Sequence, residues 1–200
     1  MKYKLVVFWL IVFGVLFAFL QTGFEYHFYY IEQSQLFLFS ETYIKNKLVL
    51  PGGFSMLVAE FLVQFFIRSY VGALVTAALL TGVGICTAGI VKRVAPASKL
   101  FILYVLPMLA LLFMHFDFNY RVQGTVSYLM MAALLCGYMR IRNGLFRLVA
   151  GCVLVPVLFW LAGSIAVLFA GMACLFEGMQ KTPKWYVSLI GVAEVLLLGL

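Results

Sequence analysis

Two short polar segments hold most of the reactive side chains of this sequence. The first, at residues 24–35, places Glu25, His27, Glu32 and Gln35 among phenylalanines and tyrosines. On a helix Glu25 and Glu32 share one face, because they stand seven residues apart, and Gln35 continues that face. A carboxylate held among aromatic rings at a membrane surface is partly desolvated and is therefore a stronger base. The alternative is an aromatic belt at a membrane surface, with the glutamates simply facing water.

The second polar segment, at residues 115–121, has a polar side chain at every other position. If the segment is extended, His115, Asp117, Asn119 and Arg121 lie on one side of it. Such a set of side chains is able to hold a divalent ion or a phosphate. Short loops are often polar without binding anything. This segment is a candidate site mainly because it is predicted to lie on the same side of the membrane as the first segment.

The chain as a whole is too apolar to be a water-soluble domain. Its 200 residues are 66% hydrophobic and 10% charged, with a mean hydropathy of +1.10, whereas soluble domains carry about 25% charged residues. Lipid must therefore cover most of the surface. The net charge of +7 comes from small basic groups between apolar runs, which argues against a nucleic-acid-binding face. These features predict a single all-α domain at residues 1–200, a polytopic bundle of transmembrane helices.

The order of apolar and basic runs predicts how the chain crosses the bilayer. A transmembrane helix needs about 20 residues. Seven apolar runs approach that length, at residues 4–22, 70–91, 99–116, 124–140, 145–161, 163–179 and 185–200. Ten of the fourteen basic residues fall on the side of the N-terminus: Lys2, Lys4, Lys92, Arg93, Lys99, Arg140, Arg142, Arg147, Lys181 and Lys184. That side is predicted to be cytoplasmic, with the first span an uncleaved signal anchor.

The boundary between the fifth and sixth spans is the weak point of this topology, because residues 162–164 are only a weak turn signal. If the two spans were one broken helix, the split of basic residues would fall to eight against six. We keep them separate. Ala162, Ala166, Ala170 and Cys174 then form a close-packing face on the sixth span.

The predicted topology leaves one long external segment, at residues 22–69. Within it, residues 27–40 and 54–66 have helical patterns, and Pro-Gly-Gly at residues 51–53 forms a turn between them. We expect two amphipathic helices that lie along the outer membrane surface or dip into it.

The acidic residues are unevenly distributed across this topology. Five of the seven acids and both histidines fall on the outer side, which favours a functional site there. Of the other two acids, Glu177 is expected to be a solvated helix end. Glu194 lies within the last span, and an acid inside a membrane is costly enough to be a functional candidate.

This arrangement resembles the GT-C superfamily, polytopic glycosyltransferases that use lipid-linked sugar donors and include the protein mannosyltransferases and the aminoarabinose transferases. The FEYHF stretch at residues 24–28 is similar to the mannosyltransferase stretch Phe-Asp-Glu-x-His-Phe. The turn at residues 51–53 stands where many members carry a proline-rich turn. The sequence departs from the pattern, because the paired acids are not both present and the second external loop has one acid where two are usual.

The GT-C resemblance implies roles for the polar residues. Glu25 or Glu32 would be the catalytic base, and Asp117 with His115 would be the partners of a divalent metal or of the donor phosphate. The expected substrate-binding residues are His27, Gln35, Asn119 and Arg121. The implied reaction transfers a sugar from a polyprenyl phosphate on the outer leaflet of the bacterial inner membrane.

A second likeness is closer in residues and implies no activity. Residues 30–37, 51–53 and 61–66 look like an uncharacterised family of bacterial multi-pass membrane proteins that are longer than this chain. The sequence stops inside an apolar run at residues 187–200. We therefore expect residues 1–200 to be the N-terminal part of a longer protein.

Three functions are compatible with these patterns. The first is the GT-C-like transferase. The second is a transporter or flippase whose path is lined by Glu194 and the outer acids, and the third is a structural or assembly subunit whose outer hairpin docks a partner. The sequence has no P-loop, HExxH, GxSxG or zinc-ligand spacing, which argues against soluble-type nucleotide hydrolysis and metalloprotease activity.

Overall fold

A computed structural model describes residues 2–95 and 102–180, and every regular element in these ranges is helical. The α-helices are α1 (Lys2–Gly23), α2 (Glu25–Ser34), α3 (Glu41–Leu48), α4 (Gly53–Val63), α5 (Ser69–Val94), α6 (Ile102–Met114), α7 (Val122–Tyr138), α8 (Gly144–Ala162) and α9 (Ile165–Met179). A 3₁₀ helix, Gln64–Ile67, continues α4. The all-α prediction is confirmed for the described residues. Outside them lie the predicted span at 185–200, Lys99, Lys181, Lys184 and Glu194.

Within the described ranges, three helices are long and apolar enough to cross a membrane: α1 over Tyr3–Gly23, α5 and α8. They coincide with the first, second and fifth predicted spans. Helices α6, α7 and α9 are also apolar but shorter, with 13, 17 and 15 residues. Large apolar side chains such as Leu10, Val15 and Val153 face outward from α1 and α8. Soluble proteins rarely expose such continuous apolar surface.

The longest described helix, α5, lies at the centre of the bundle and packs against α1, α6 and α7. Glycines on its surface admit large rings from its neighbours: a Cβ atom on Gly72 would collide with Phe28, and one on Gly84 with Trp9. Small residues let helices approach closely, which is how helices associate where burial from water contributes little.

The helix termini sort into two ends of the bundle. At one of them, the loop-rich end, Gln21 near the end of α1 donates a hydrogen bond to Ser69 at the start of α5, at 3.4 Å. At the same end Gly52, just before α4, donates to the carbonyl of Trp160 near the end of α8, at 3.0 Å. The segment from α4 to the 3₁₀ helix therefore starts and finishes at the loop-rich end. It lies across the bundle rather than through it.

Two glycine turns meet at the loop-rich end. The predicted turn at residues 51–53 is present, with Gly52 at a φ of +76°, and Gly163 follows α8 with a φ of +75°. Glycine adopts such positive φ values at little cost. A Cβ atom on Gly52 would lie 3.1 Å from the backbone nitrogen of Gly163, so the two backbones approach with no side chain between them. The turn at Gly163 separates α8 from α9, so the fifth and sixth predicted spans are two distinct helices.

The segment at residues 22–69 departs from the prediction in its first half. The helix expected over residues 27–40 ends at Ser34, and the next helix begins only with α3, which was not predicted. Tertiary contacts override the helical pattern here, because the Phe37 ring packs on Phe61 and the Phe37 carbonyl accepts a hydrogen bond from Gln64 at 2.9 Å. α3 then carries its acid in the first turn and its lysines in the last, which suits the helix dipole.

Helices α8 and α9 run antiparallel to each other. Ala166 and Ala170 of α9 are buried in the core, as the small-residue pattern predicts. At the other end of the pair, Arg147 of α8 binds Glu177 of α9 with an Nη2–Oε2 distance of 2.8 Å, and the Tyr138 hydroxyl donates to the same carboxylate at 2.9 Å. Glu177 is only 4% exposed, so its predicted position as a solvated helix end was wrong.

The Arg147–Glu177 pair lies at the second end of the bundle, the arginine end, where Arg93, Arg140 and Arg142 are also found. A glutamate can be buried only where its charge is compensated and its oxygens accept hydrogen bonds. Arg147 and a tyrosine from α7 supply both. From the sequence, Glu177 was expected to face solvent because it stands near the end of an apolar helix. Its partners belong to two other helices, so no residue near it in the sequence indicates that it is paired.

Replacing Arg147 with methionine is expected to destabilise the fold strongly. The variant leaves the Glu177 carboxylate buried without its cation, which costs about 3–5 kcal/mol. The matched control is Lys45→Met at the exposed Glu41–Lys45 pair, whose loss should cost less than about 1 kcal/mol. Thermal unfolding of the purified proteins in detergent measures both effects.

The double variant Arg147→Met/Glu177→Leu separates the buried charge from the lost packing. It should recover most of the stability lost in Arg147→Met, because no charge is left without a partner. A single variant that unfolds at the wild-type temperature, or a double variant no more stable than the single one, would show that the ion pair has no such role.

Candidate functional site

A polar pocket opens at the loop-rich end, with a volume of 220 Å³. Its lining residues are Ser34, Gln35, Leu36, Tyr43, Lys47, Met56, Ala59, Glu60, Arg121 and Gln123. They come from the end of α2 and the chain after it, from α3 and α4, and from the start of α7. Both polar segments of the sequence contribute, the first through Gln35 and the second through Arg121.

Glu60 is the centre of the hydrogen-bond network in the polar pocket. Its carboxylate lies 2.8 Å from the Lys47 ammonium and accepts a hydrogen bond from the Tyr43 hydroxyl. The Lys47 ammonium also sits 5.3 Å from the centroid of the Tyr43 ring. Burial, with the hydrogen bond to Glu60, raises the pKa of Tyr43 to about 12. The hydroxyl therefore stays protonated at physiological pH and remains a donor.

Helix ends hold the two predicted binding residues at the polar pocket. Gln35 follows α2, and its backbone N–H donates to the Ile31 carbonyl at 3.1 Å. Arg121 immediately precedes α7, is exposed, and has no acidic partner in the described ranges. Gln123, in the first turn of α7, donates to the Gly52 carbonyl at 3.4 Å and so ties α7 to the turn before α4.

The hydrogen-bond network of the polar pocket was not predicted; its members are Tyr43, Lys47 and Glu60. A signal for Glu60 was available, since it is the single acid in the apolar helix α4 and such an acid needs a partner. The partners themselves stand on α3, whose short polar sequence did not indicate a helix. Nothing local in the sequence brings α3 onto α4.

A pair of buried histidines lies at the same end of the bundle. His115, just beyond α6, is 3% exposed. Its Nε2 lies 2.9 Å from the Thr125 hydroxyl, and that hydroxyl is 3.0 Å from the Tyr120 hydroxyl. Burial lowers the pKa of His115 to about 4, and the neighbouring His27 contributes in the same direction.

The second histidine of this pair, His27, belongs to α2. Its ring packs on Phe118 at a centroid distance of 4.8 Å. Burial lowers the pKa of His27, against smaller opposing effects of a hydrogen bond with the His115 backbone and of the Asp117 charge. The ring Nε2 of His27 is buried and has no hydrogen-bond partner among the described residues. Both rings are therefore neutral near pH 7.

The second polar segment is folded into turns, so the extended arrangement that would align its polar side chains is not present. The backbone N–H of Asp117 donates to the Met114 carbonyl at 3.2 Å, and that of Tyr120 donates to the Asp117 carbonyl at 3.1 Å. These turns direct His115 into the protein and leave Asp117, Asn119 and Arg121 exposed. The four side chains do not share one side of the segment.

The predicted catalytic glutamates lie outside the polar pocket. Glu25 is exposed and accepts a long hydrogen bond from the Ser69 hydroxyl at 3.5 Å. Glu32 is half-buried, and neither glutamate is among the pocket-lining residues. Asn119 also lies outside the pocket, where its backbone N–H donates to the Asp117 carboxylate at 2.9 Å. The structure thus brings together Gln35 with Arg121, and His27 with His115, whereas the catalytic roles stay a prediction.

A divalent metal bound by Asp117 and His115 also stays a prediction. The part of the chain that the structure describes contains no group of three or more histidines, cysteines, aspartates or glutamates that could hold a metal ion. His115 Nε2 is engaged by Thr125, and the Asp117 carboxylate by the backbone of Asn119. We therefore assign no chemistry to a metal at these residues.

Acidification is expected to destabilise the protein through His115. Its pKa in the folded protein, about 4, is below its ordinary value of 6.5. Between these pH values the unfolded chain binds a proton that the folded protein does not. Stability is therefore lost as the pH falls from about 6.5 to about 4, by up to about 3 kcal/mol.

Melting temperatures of wild type and His115→Gln, measured from about pH 7 down to about pH 4, test this dependence. The variant should lose less stability on acidification, because its side chain does not titrate. His27 is present in both proteins, so the comparison isolates His115. Equal pH slopes for the two proteins would rule out the proposed contribution.

Comparison with known proteins assigns the chain to a family. No curated protein matches it, and no solved structure matches it. One family model matches residues 1–200, and its description is a family of unknown function. This agrees with the likeness to an uncharacterised family, and it leaves the GT-C resemblance as a hypothesis. The chain belongs to the DUF6057 family.

Proposed function

We propose that the chain is a multi-pass protein of the bacterial inner membrane, with seven spans and a cytoplasmic N-terminus. Helices α1, α5, α6, α7, α8 and α9 join the loop-rich end to the arginine end, and the apolar run at 185–200 would be the seventh span. Three of the six helices are long and apolar enough for this role. The excess of basic residues favours a cytoplasmic arginine end and an external loop-rich end.

Cysteines introduced one at a time at the two ends of the bundle test this orientation in the full-length protein. In intact cells, a membrane-impermeant maleimide is expected to label Lys45→Cys in α3 and to leave Arg142→Cys unlabelled until the membrane is broken. The wild-type protein is the background control, because its own four cysteines lie within helices. Labelling of both positions from the same side would overturn the topology.

At the loop-rich end, we propose that the polar pocket binds the phosphorylated head of a lipid-linked sugar. The observation that carries this proposal is the charge balance of the pocket. Lys47 is neutralised by Glu60, whereas the Arg121 guanidinium has no acidic partner among the described residues. One unpaired guanidinium beside the amides of Gln35 and Gln123 suits a phosphate with neighbouring hydroxyl groups.

The reaction that such a pocket would serve is the GT-C-like transfer of a sugar from a polyprenyl phosphate. The phosphate would be held by Arg121, and a carboxylate would take the proton from the acceptor hydroxyl. Glu60 is occupied by Lys47 and Tyr43. Glu25 and Glu32 form no ion pair in the described residues, and they remain the candidates for the base.

Binding of a polyprenyl phosphate to the purified full-length protein tests the role of the polar pocket. Arg121→Ala is expected to weaken binding by about 10-fold or more, the usual value of a charge-assisted hydrogen bond to phosphate. The matched control is Arg68→Ala, which removes an exposed arginine from the same end but outside the pocket. The unphosphorylated polyprenol should bind weakly to the wild-type protein and to both variants.

Equal losses of polyprenyl phosphate affinity in Arg121→Ala and Arg68→Ala would show a general charge effect and would overturn binding in the polar pocket. Sugar transfer is then measured separately for wild type, Glu25→Gln and Glu32→Gln. A protein that binds the phosphate through Arg121 yet transfers no sugar would support the binding site and overturn the transferase assignment.

A further inference from the structure

A second polar cavity, the basic pocket, lies at the arginine end and has a volume of 300 Å³. Its lining residues are Arg93, Met139, Arg140, Ile141, Arg142, Arg147, Phe176 and Gln180. They come from the end of α5, the connection between α7 and α8, the start of α8 and the end of α9. Half of the lining residues are arginines, so the cavity concentrates positive charge.

The basic pocket carries more positive than negative charge. Arg147 is neutralised by Glu177, which it contacts through two of its nitrogens. In the residues that the structure describes, no acidic side chain forms an ion pair with Arg93, Arg140 or Arg142. Three guanidinium groups therefore remain uncompensated around one cavity. Their mutual repulsion favours a bound anion.

Hydrogen bonds fix the backbone that carries these arginines. Arg93 donates to the Met139 carbonyl at 2.7 Å, and the buried Arg147 donates to the Ile141 carbonyl at 3.2 Å. The connection between α7 and α8 is thus tied to α5 on one side and to α8 on the other. A guanidinium has five N–H donors, so Arg93 keeps most of its donors for a ligand.

A shallow, open apolar groove of 850 Å³ runs along one face of α9, and all of its described lining residues belong to that helix. Leu175, Gly178 and Met179 line this groove, while Phe176 and Gln180 of the same helical turn line the basic pocket. A ligand that spans the two would have a negatively charged head and apolar chains. The number of guanidinium groups and their fork geometry match a phosphate better than a carboxylate of one charge.

From these observations we propose that the basic pocket binds the phosphate-bearing headgroup of an anionic membrane lipid, with its acyl chains in the groove along α9. The lipid would lie in the leaflet at the arginine end. Basic pockets between helix ends on the cytoplasmic side of membrane proteins are suited to such headgroups. The site is separate from the polar pocket and does not depend on the function proposed for that pocket, but it rests on the proposed membrane topology.

Binding of short-chain phosphatidylglycerol to the full-length protein in a non-ionic detergent tests this proposal. Phosphatidylglycerol should bind at least about 10-fold more tightly than phosphatidylcholine with the same chains, and added salt should weaken it. Arg140→Ala/Arg142→Ala should weaken the binding of phosphatidylglycerol by about 10- to 30-fold. Both side chains are exposed, so the fold should be kept, which circular dichroism checks.

The matched control is Lys45→Ala/Arg68→Ala, which removes the same charge from exposed positions of the loop-rich end and should change the affinity by less than about twofold. Equal affinity for the two lipids, or an equal loss in the two double variants, would overturn the proposal. Inorganic phosphate that displaces the lipid at the same concentration would identify a free phosphate ion as the ligand and would overturn the lipid assignment.

Discussion

The loop-rich end depends on one contact in which two turns touch backbone to backbone. Gly52 stands so close to Gly163 that it has no room for a larger residue without a shift of the chain. Both residues also have a positive φ, which favours glycine at each position. Around this contact the Trp160 indole donates to the Leu48 carbonyl at 2.9 Å, and Ser55 donates to the Gly52 carbonyl at 2.8 Å. The contact fixes where α3 stops and α4 starts. Both helices contribute side chains to the polar pocket, so its shape depends on this position.

Hydropathy predicted the parts of the structure that depend on local pattern. The long apolar runs gave α1, α5 and α8, and the small residues of α9 mark a buried face. The turn at residues 51–53 follows from the sequence because glycine and proline limit the backbone directly. Each of these signals is contained within a few neighbouring residues.

Features that depend on contacts between distant residues could not be predicted in this way. The helix after residue 27 stops early because Phe37 packs on Phe61 of α4, and no periodicity records that contact. Glu60 finds Lys47 and Tyr43 only because α3 folds back on α4. The candidate site is affected in this way, since Glu60 was assessed without its partners. The same holds for Glu177 at the arginine end. Arg121, by contrast, precedes a helix whose start the sequence located well. Gln35 follows a helix that was expected to continue to residue 40.

The fit between Phe28 and Gly72 links the candidate site to the rest of the protein. The ring of Phe28 occupies the space beside Gly72 of α5, where a larger residue would place its side chain. The Phe66 ring packs on the Phe28 ring in a T-shaped arrangement, with 5.4 Å between the ring centroids. This contact fixes the position of α2 against α5. α5 is an unbroken helix about 39 Å long, and Arg93 lies in its last turn. A tilt of this helix at one end of the bundle therefore also moves its residues at the other end.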